Sequence, residues 1–135
     1  MEVTIGKQLI KVISMKAEEK SLENFGGLIK ILKNGNRVVT FSSCEITQET
    51  IEFMAKSINI DNLLFYYCDF KEINLSHLNK SNVTALSSMH GNFNNEHLKQ
   101  LAAIASLKTI KLHGSKVSKD AIQQFLYERP DVKLI

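Results

Sequence analysis

Five apolar columns recur along this chain at a nearly constant interval, and that interval limits the fold more than any other feature. Val39, Leu63, Leu86 and Ile110 form the first column. Two residues on stand Phe41, Phe65, Ser88 and Leu112. Further columns follow at Ile46, Phe70, Phe93, Val117, then at Ile51, Leu75, Leu98, Ile122, and last at Met54, Leu78, Leu101, Phe125. Successive rows are 24, 23 and 24 residues apart, and Ser88 alone is not apolar. With 44% of the chain hydrophobic, chance would fill only about nine of these positions.

The spacing inside each block carries a local structure. The first two columns are two residues apart, so both side chains point to one face of a strand. The last two are three apart, which places them on one face of a helical turn. Each block therefore reads as a short strand, a turn and a short helix. Thr47-Gln48-Glu49, Asn94-Asn95-Glu96 and Ser118-Lys119-Asp120 set a capping side chain and then an acid ahead of the apolar pair. These satisfy free N–H groups and suit the positive end of the helix dipole. In the second block Glu72 and Asn74 play this part less neatly.

The offsets match L-x-x-L-x-L-x-x-(N/C)-x-L, and the chain resembles a small leucine-rich-repeat protein over residues 36–126. The fourth block reads Leu107, Ile110, Leu112, Ser115, Val117 and the second Ile60, Leu63, Phe65, Cys68, Phe70. The first reads Asn36, Val39, Phe41, Cys44, Ile46 and the third Val83, Leu86, Ser88, Gly91, Phe93. Asn36 in an apolar slot, Ser88 in another and the lack of Asn in the ladder slot depart from the family. The resemblance implies an α/β leucine-rich-repeat solenoid, with a curved parallel sheet and helices on the convex side. It says little about function.

A stacked core needs closed ends. Residues 3–15 read as strand-like with a turn at Gly6-Lys7, and Ser21 to Lys33 as a helix stopped by Asn34-Gly35. Arg129-Pro130 closes the last helix, and residues 132–135 add a strand, since Leu134 falls 24 after Ile110. The chain is thus expected to be one domain over 1–135. Its N-terminal cap covers 1–35, four repeats cover 36–126, and a C-terminal cap strand covers 127–135.

The 135 residues suit one domain with a real core. No run approaches the length of a membrane span, and Lys7 and Lys11 interrupt any leader-like apolar segment. Two cysteines make no disulfide scaffold. A cytoplasmic protein with no membrane partner is the expectation. The net charge of +3 is mildly basic, and all of it arises after residue 67, where Lys108, Lys111, Lys116 and Lys119 lie. That surplus reads first as a solvated face and second as a patch for an acidic partner.

Catalytic signatures are missing: no GxSxG, P-loop or GxGxxG is present. No cofactor is expected. Cys44 and Cys68 share the ladder slot, which in the family is buried and bonds loop backbone. His77 and His97 precede apolar helix positions and read as exposed or half-exposed. His90 and His113 end neighbouring strands, and with Asp69 they form a candidate rim cluster, read as a polar rim before a metal or acid–base site.

The residues between the apolar strand positions form the opposite face. They are Val38, Thr40 and Ser42, then Asn62, Leu64 and Tyr66. The next two blocks supply Ala85, Ser87 and Met89, and Thr109, Lys111 and His113. In leucine-rich repeats the concave face is where partners bind. The expected site has Tyr66 and Met89 as apolar anchors, Leu64 and Tyr67 as support, and Lys111, His113, His90 and Asp69 as polar rim. The resemblance thus implies a non-catalytic protein-recognition module, with an immunity protein neutralising a cognate toxin as its most specific form. An adaptor or assembly factor is the second reading, a metal-dependent enzyme the third and RNA binding the weakest. Residues 1–15 covering the face is the alternative to a free one.

Overall fold

The computed structural model describes residues 20–57 and 59–135 of the chain. The expected strands and cap within 1–15, and any cover they give the sheet, lie outside the described residues.

The protein is mixed α/β, with a mostly parallel sheet and helices. Strand β1 (Gly27–Ile31) precedes β2 (Arg37–Ser42), and the two-residue β3 (Glu45–Ile46) leads into helix α1 (Gln48–Ser57). Next come β4 (Asn62–Tyr66), β5 (Asp69–Phe70) and a 3₁₀ helix (Leu75–Ser81). The rest is β6 (Ala85–Met89), α2 (Asn95–Leu101), β7 (Thr109–His113), α3 (Lys119–Glu128) and β8 (Lys133–Leu134). The large sheet has the order β1-β2-β4-β6-β7-β8, and β3 and β5 form a second, two-stranded sheet.

From β2 to β8 the large sheet is parallel and its register is that of the sequence columns. Val39 pairs with Leu63, Leu63 with Leu86, Leu86 with Ile110, and Ile110 with Leu134. The side chains of Val39, Leu63, Leu86 and Ile110, with those of Phe41 and Phe65, are buried in one cluster with Ile51, Met54, Leu78, Leu98 and Phe125 from the helices, and Leu134 packs against it half-buried. Stacked rings run through it, with Phe41 on Phe65 at 5.6 Å and Phe65 edge-on to Phe70 at 4.9 Å. Burying side chains of this size contributes roughly 1.5–3 kcal/mol each.

The helices start where capping residues stand. Asn94 accepts from the N–H groups of Glu96 and His97 at 3.0 and 3.3 Å, and Ser118 Oγ accepts from Ala121 N–H at 3.1 Å. Asn74 begins the 3₁₀ helix by accepting from Ser76 N–H at 3.0 Å. This tighter helix explains the one 23-residue interval. It rises about 2.0 Å per residue against about 1.5 Å for an α-helix, so fewer residues cover the same path back to the sheet. At the far end Arg129 donates to the carbonyls of Ala102, Ile104 and Leu107 at 3.1, 2.8 and 2.9 Å. Asp131 holds its guanidinium at 2.9 Å, and that guanidinium holds the Asp131 carboxyl below its usual pKa.

Two expectations at the N-terminal end are corrected. The sheet is not wholly parallel, because β1 runs antiparallel to β2. Residues 21–33 are not one helix: helical backbone ends at residue 24, and Gly26 turns the chain with φ +88°. Gly27 then comes so close to Leu22 and Phe41 that a Cβ there would stand 2.8 Å from either side chain. Asn34-Gly35 is not a helix stop but part of a hairpin. Gly35 N–H donates to Leu32 at 2.9 Å, Leu32 N–H donates to Asn36 at 2.8 Å, and Gly35 takes φ +87°. That is the three-residue hairpin loop in which glycine supplies the left-handed position.

Candidate functional site

The residues expected to form the site lie mostly on the sheet face opposite the core. In the row crossing mid-strand, Leu28 of β1 stands beside Thr40, Leu64, Ser87 and Lys111. In the next row Ser42, Tyr66, Met89 and His113 are neighbours. Leu64, Tyr66 and Met89 are half-buried, while Lys111 and His113 are exposed. The apolar centre, Lys111 and His113 are thus on one surface. Leu28, 63% exposed, extends the centre on the side away from Lys111. The helical reading of 21–33 hid it, although Gly26-Gly27 and Asn34-Gly35 were the available signals of a hairpin.

Beyond this row the chain leaves each strand through the same corner. Ser43, Tyr67, His90 and Gly114 succeed one another at 24, 23 and 24 residues, and all have positive φ, from 52° to 67°. The first three corner N–H groups reach the next strand: Ser43 donates to Tyr66, Tyr67 to Met89 and His90 to His113, at 2.8, 2.9 and 2.6 Å. Only glycine takes this backbone without a steric penalty, so Tyr67 and His90 hold their rings outward at some cost. The Tyr67 ring stacks on His90 with centroids 4.7 Å apart, and His113 meets His90 edge-on at 5.4 Å. Gly114 leaves room for this: a Cβ there would lie 2.3 Å from His90 Nδ1.

Asp69 does not join these rings. It pairs with Lys71 Nζ at 2.7 Å and accepts from Asn92 Nδ2 at 2.9 Å. Its carboxylate raises the pKa of the Lys71 ammonium, with Glu45 assisting at 3.5 Å. Asp69, in β5, thus stands apart from His90 and His113, its carboxylate held by the lysine two residues on. Among the described residues no three His, Cys, Asp or Glu side chains gather so as to hold a metal ion.

The ladder slot fixes the corners from beneath. Cys68 Sγ lies 3.5 Å from the carbonyls of Phe41 and Tyr66, and burial pushes its thiol pKa up. Cys44 Sγ is 3.1 Å from Ser42 O, and Ser115 Oγ donates to Ser88 O at 3.2 Å. Gly91 fills the third slot because a Cβ would stand 2.3 Å from the Cys68 carbonyl. Asn92, the next residue, supplies the missing side chain: its Oδ1 accepts from Phe70 N–H at 2.6 Å and its Nδ2 donates to Phe70 O at 3.0 Å.

A groove of about 700 Å³ lies on another part of the surface, lined by Phe70, Ile73, Asn74, His97 and Gln100 among others. Its amides are already engaged with backbone. Gln100 accepts from Leu75 N–H at 2.9 Å and donates to Ile73 O at 3.0 Å, and Gln48 accepts from Asn74 N–H at 2.7 Å. His97 is 6% exposed, which corrects its expected surface position. It packs between Phe70 and Phe93, and its Nδ1 accepts from Asn94 N–H at 3.1 Å. Burial lowers its pKa, with Glu96 opposing weakly. His77 is half-exposed and bonds Glu52, whose carboxyl is held below its usual pKa first by Gln48 and then by His77.

No protein-family model matches the chain, and no curated protein or solved structure is significantly similar to it. No helix among the described residues is long and apolar enough to cross a membrane.

Proposed function

We propose that this chain is a short leucine-rich-repeat solenoid whose exposed sheet face recognises another protein without catalysis. The observation that carries the reading is the presence of Leu28, Leu64, Tyr66 and Met89 on one sheet face, opposite the core that the described helices cover. A parallel sheet normally has both faces covered. Here the strand register repeats at 24, 23 and 24 residues, as the repeat architecture requires. Such a surface is held by backbone ladders and a common core, so little ordering entropy is lost when a partner docks.

Tyr66 and Met89 act as anchors, with Leu64, Leu28 and Tyr67 around them. His90, His113 and Lys111 form the polar rim. The mode of action is occlusion of the partner's own working surface. An immunity protein that neutralises a cognate toxin would need this and no more. The test is capture of a partner from source-cell lysate by the intact chain, repeated with Tyr66→Ala and Met89→Ala. Each variant is first checked for retained fold by circular dichroism. Loss of the partner in both folded variants is the expected result. Undiminished capture by both would move the interface off this face.

A further inference from the structure

Resting on the recognition reading above, we propose that the face takes an acidic protein surface, with carboxylates placed on either side of an apolar contact. The charges of the face are all of one sign. Lys30 on β1 and Lys133 on β8 stand at opposite ends of a single row of paired residues, through Val38, Asn62, Ala85 and Thr109. Six strands at about 4.8 Å spacing put these two lysines roughly 24 Å apart. Lys111 stands one row away, beside Ser87. All three are exposed, and none has an ion-pair partner among the described residues. No Asp or Glu occurs at the outward positions of β1, β2, β4, β6, β7 or β8.

Three carboxylates of the described residues are engaged elsewhere. Asp61 Oδ2 accepts from Arg37 N–H at 2.8 Å, Asp69 holds Lys71, and Asp131 holds Arg129. Chain-wide charge conceals this arrangement, since a net +3 describes an ordinary surface. Locally, an apolar centre is framed by cations, with no anion beside it among the described residues. A basic or neutral surface docked there would bring like charge together or leave the ammonium groups partly desolvated and unpaired. An acidic surface gains a contact at each flank. With a screening length of about 8 Å at physiological salt, the flanks act separately, so the partner's acids must be distributed and not clustered at one point.

The test uses the full chain against a displayed library of random peptides, with a single-stranded oligothymidine as competitor. Peptides selected by the wild type should be rich in Asp and Glu on both sides of a large apolar residue. Their affinity should fall about tenfold between roughly 0.05 and 0.5 M salt. The triple variant Lys30→Glu, Lys111→Glu, Lys133→Glu should weaken it at least about a hundredfold, and the Lys→Gln triple should have a smaller effect in the same direction. Selected peptides that need Tyr66 and Met89 but carry no acidic excess, and that bind the charge-reversed variant equally, would overturn the acidic partner and leave the recognition reading standing. No selection at all, or indifference to both sets of variants, overturns both. Oligothymidine that outcompetes every peptide through the same lysines makes the occupant a nucleic acid and overturns the proposal.

Discussion

The carboxamide of Asn92 holds both backbone polar groups of Phe70, accepting from its N–H at 2.6 Å and donating to its carbonyl at 3.0 Å. One side chain does for the third unit what strand pairing does for the first two, where Ile46 pairs with Phe70. Gly91 makes this necessary: its slot has no room for a side chain, so the contact moves one residue along.

Asn92→Ala therefore leaves the Phe70 N–H of β5 without its partner at a part-buried position. A loss of about 2 kcal/mol is expected, read as a lower urea midpoint with unchanged slope. Asn92→Asp keeps an acceptor but sets a second carboxylate beside Asp69, so it should fall between alanine and wild type.

Ser88 is fully buried in an apolar column, and its Oγ has no hydrogen-bond partner among the described residues. A buried hydroxyl left in this state costs about 1–3 kcal/mol. Ser88→Ala should raise stability by about 1 kcal/mol in chemical denaturation. A destabilised Ser88→Ala would mean that the hydroxyl makes a compensating bond.

Gly114→Ala would set a Cβ at φ +67° and 2.3 Å from His90 Nδ1. The imidazole must swing away from Tyr67 and His113. The expected cost is about 1–2 kcal/mol, together with a shift of the His90 and Tyr67 ring resonances in NMR spectra. Unmoved resonances would show that the ring stack does not depend on this glycine.

His97 is buried, and its pKa is lowered from the ordinary value of about 6.5. Its contribution is stable above that value. As pH falls below it, the unfolded imidazole binds a proton before the folded one does, so stability declines until the lower folded pKa is reached. Protonation also removes the Nδ1 acceptor from Asn94 N–H. His97→Gln retains an acceptor at this capping position. The difference between its urea midpoint and that of wild type should change between pH 7 and 5.5, with the wild type losing more.

The spacing of Val39, Leu63, Leu86 and Ile110 made the parallel strands and their register legible, because a column of buried residues and a column of paired residues are the same column here. The face followed from it by alternation, so Leu64, Tyr66, Met89, Lys111 and His113 were legible as well. The hairpin of β1 was not. Leu28, Ile29 and Leu32 fit a helical stripe as well as a strand, and the choice is made by contact with Phe41 and Leu22 across Gly27. Asp69 was misplaced because its position in the repeat does not reveal a lysine two residues on that claims its carboxylate. Asn92 and His97 depend on partners brought close only after the units pack.

The 3₁₀ helix Leu75–Ser81 absorbs a missing residue without disturbing β4 or β6, whose partners remain aligned from Asn62 to Tyr66. This difference in length is thus confined to the segment between the strands, and the spacing of side chains across the sheet is insulated from it. Insertions or deletions after Leu78 could accumulate over a lineage while the positions of Lys30, Tyr66 and Met89 stayed constant, leaving substitution as the means by which the face could change its chemistry.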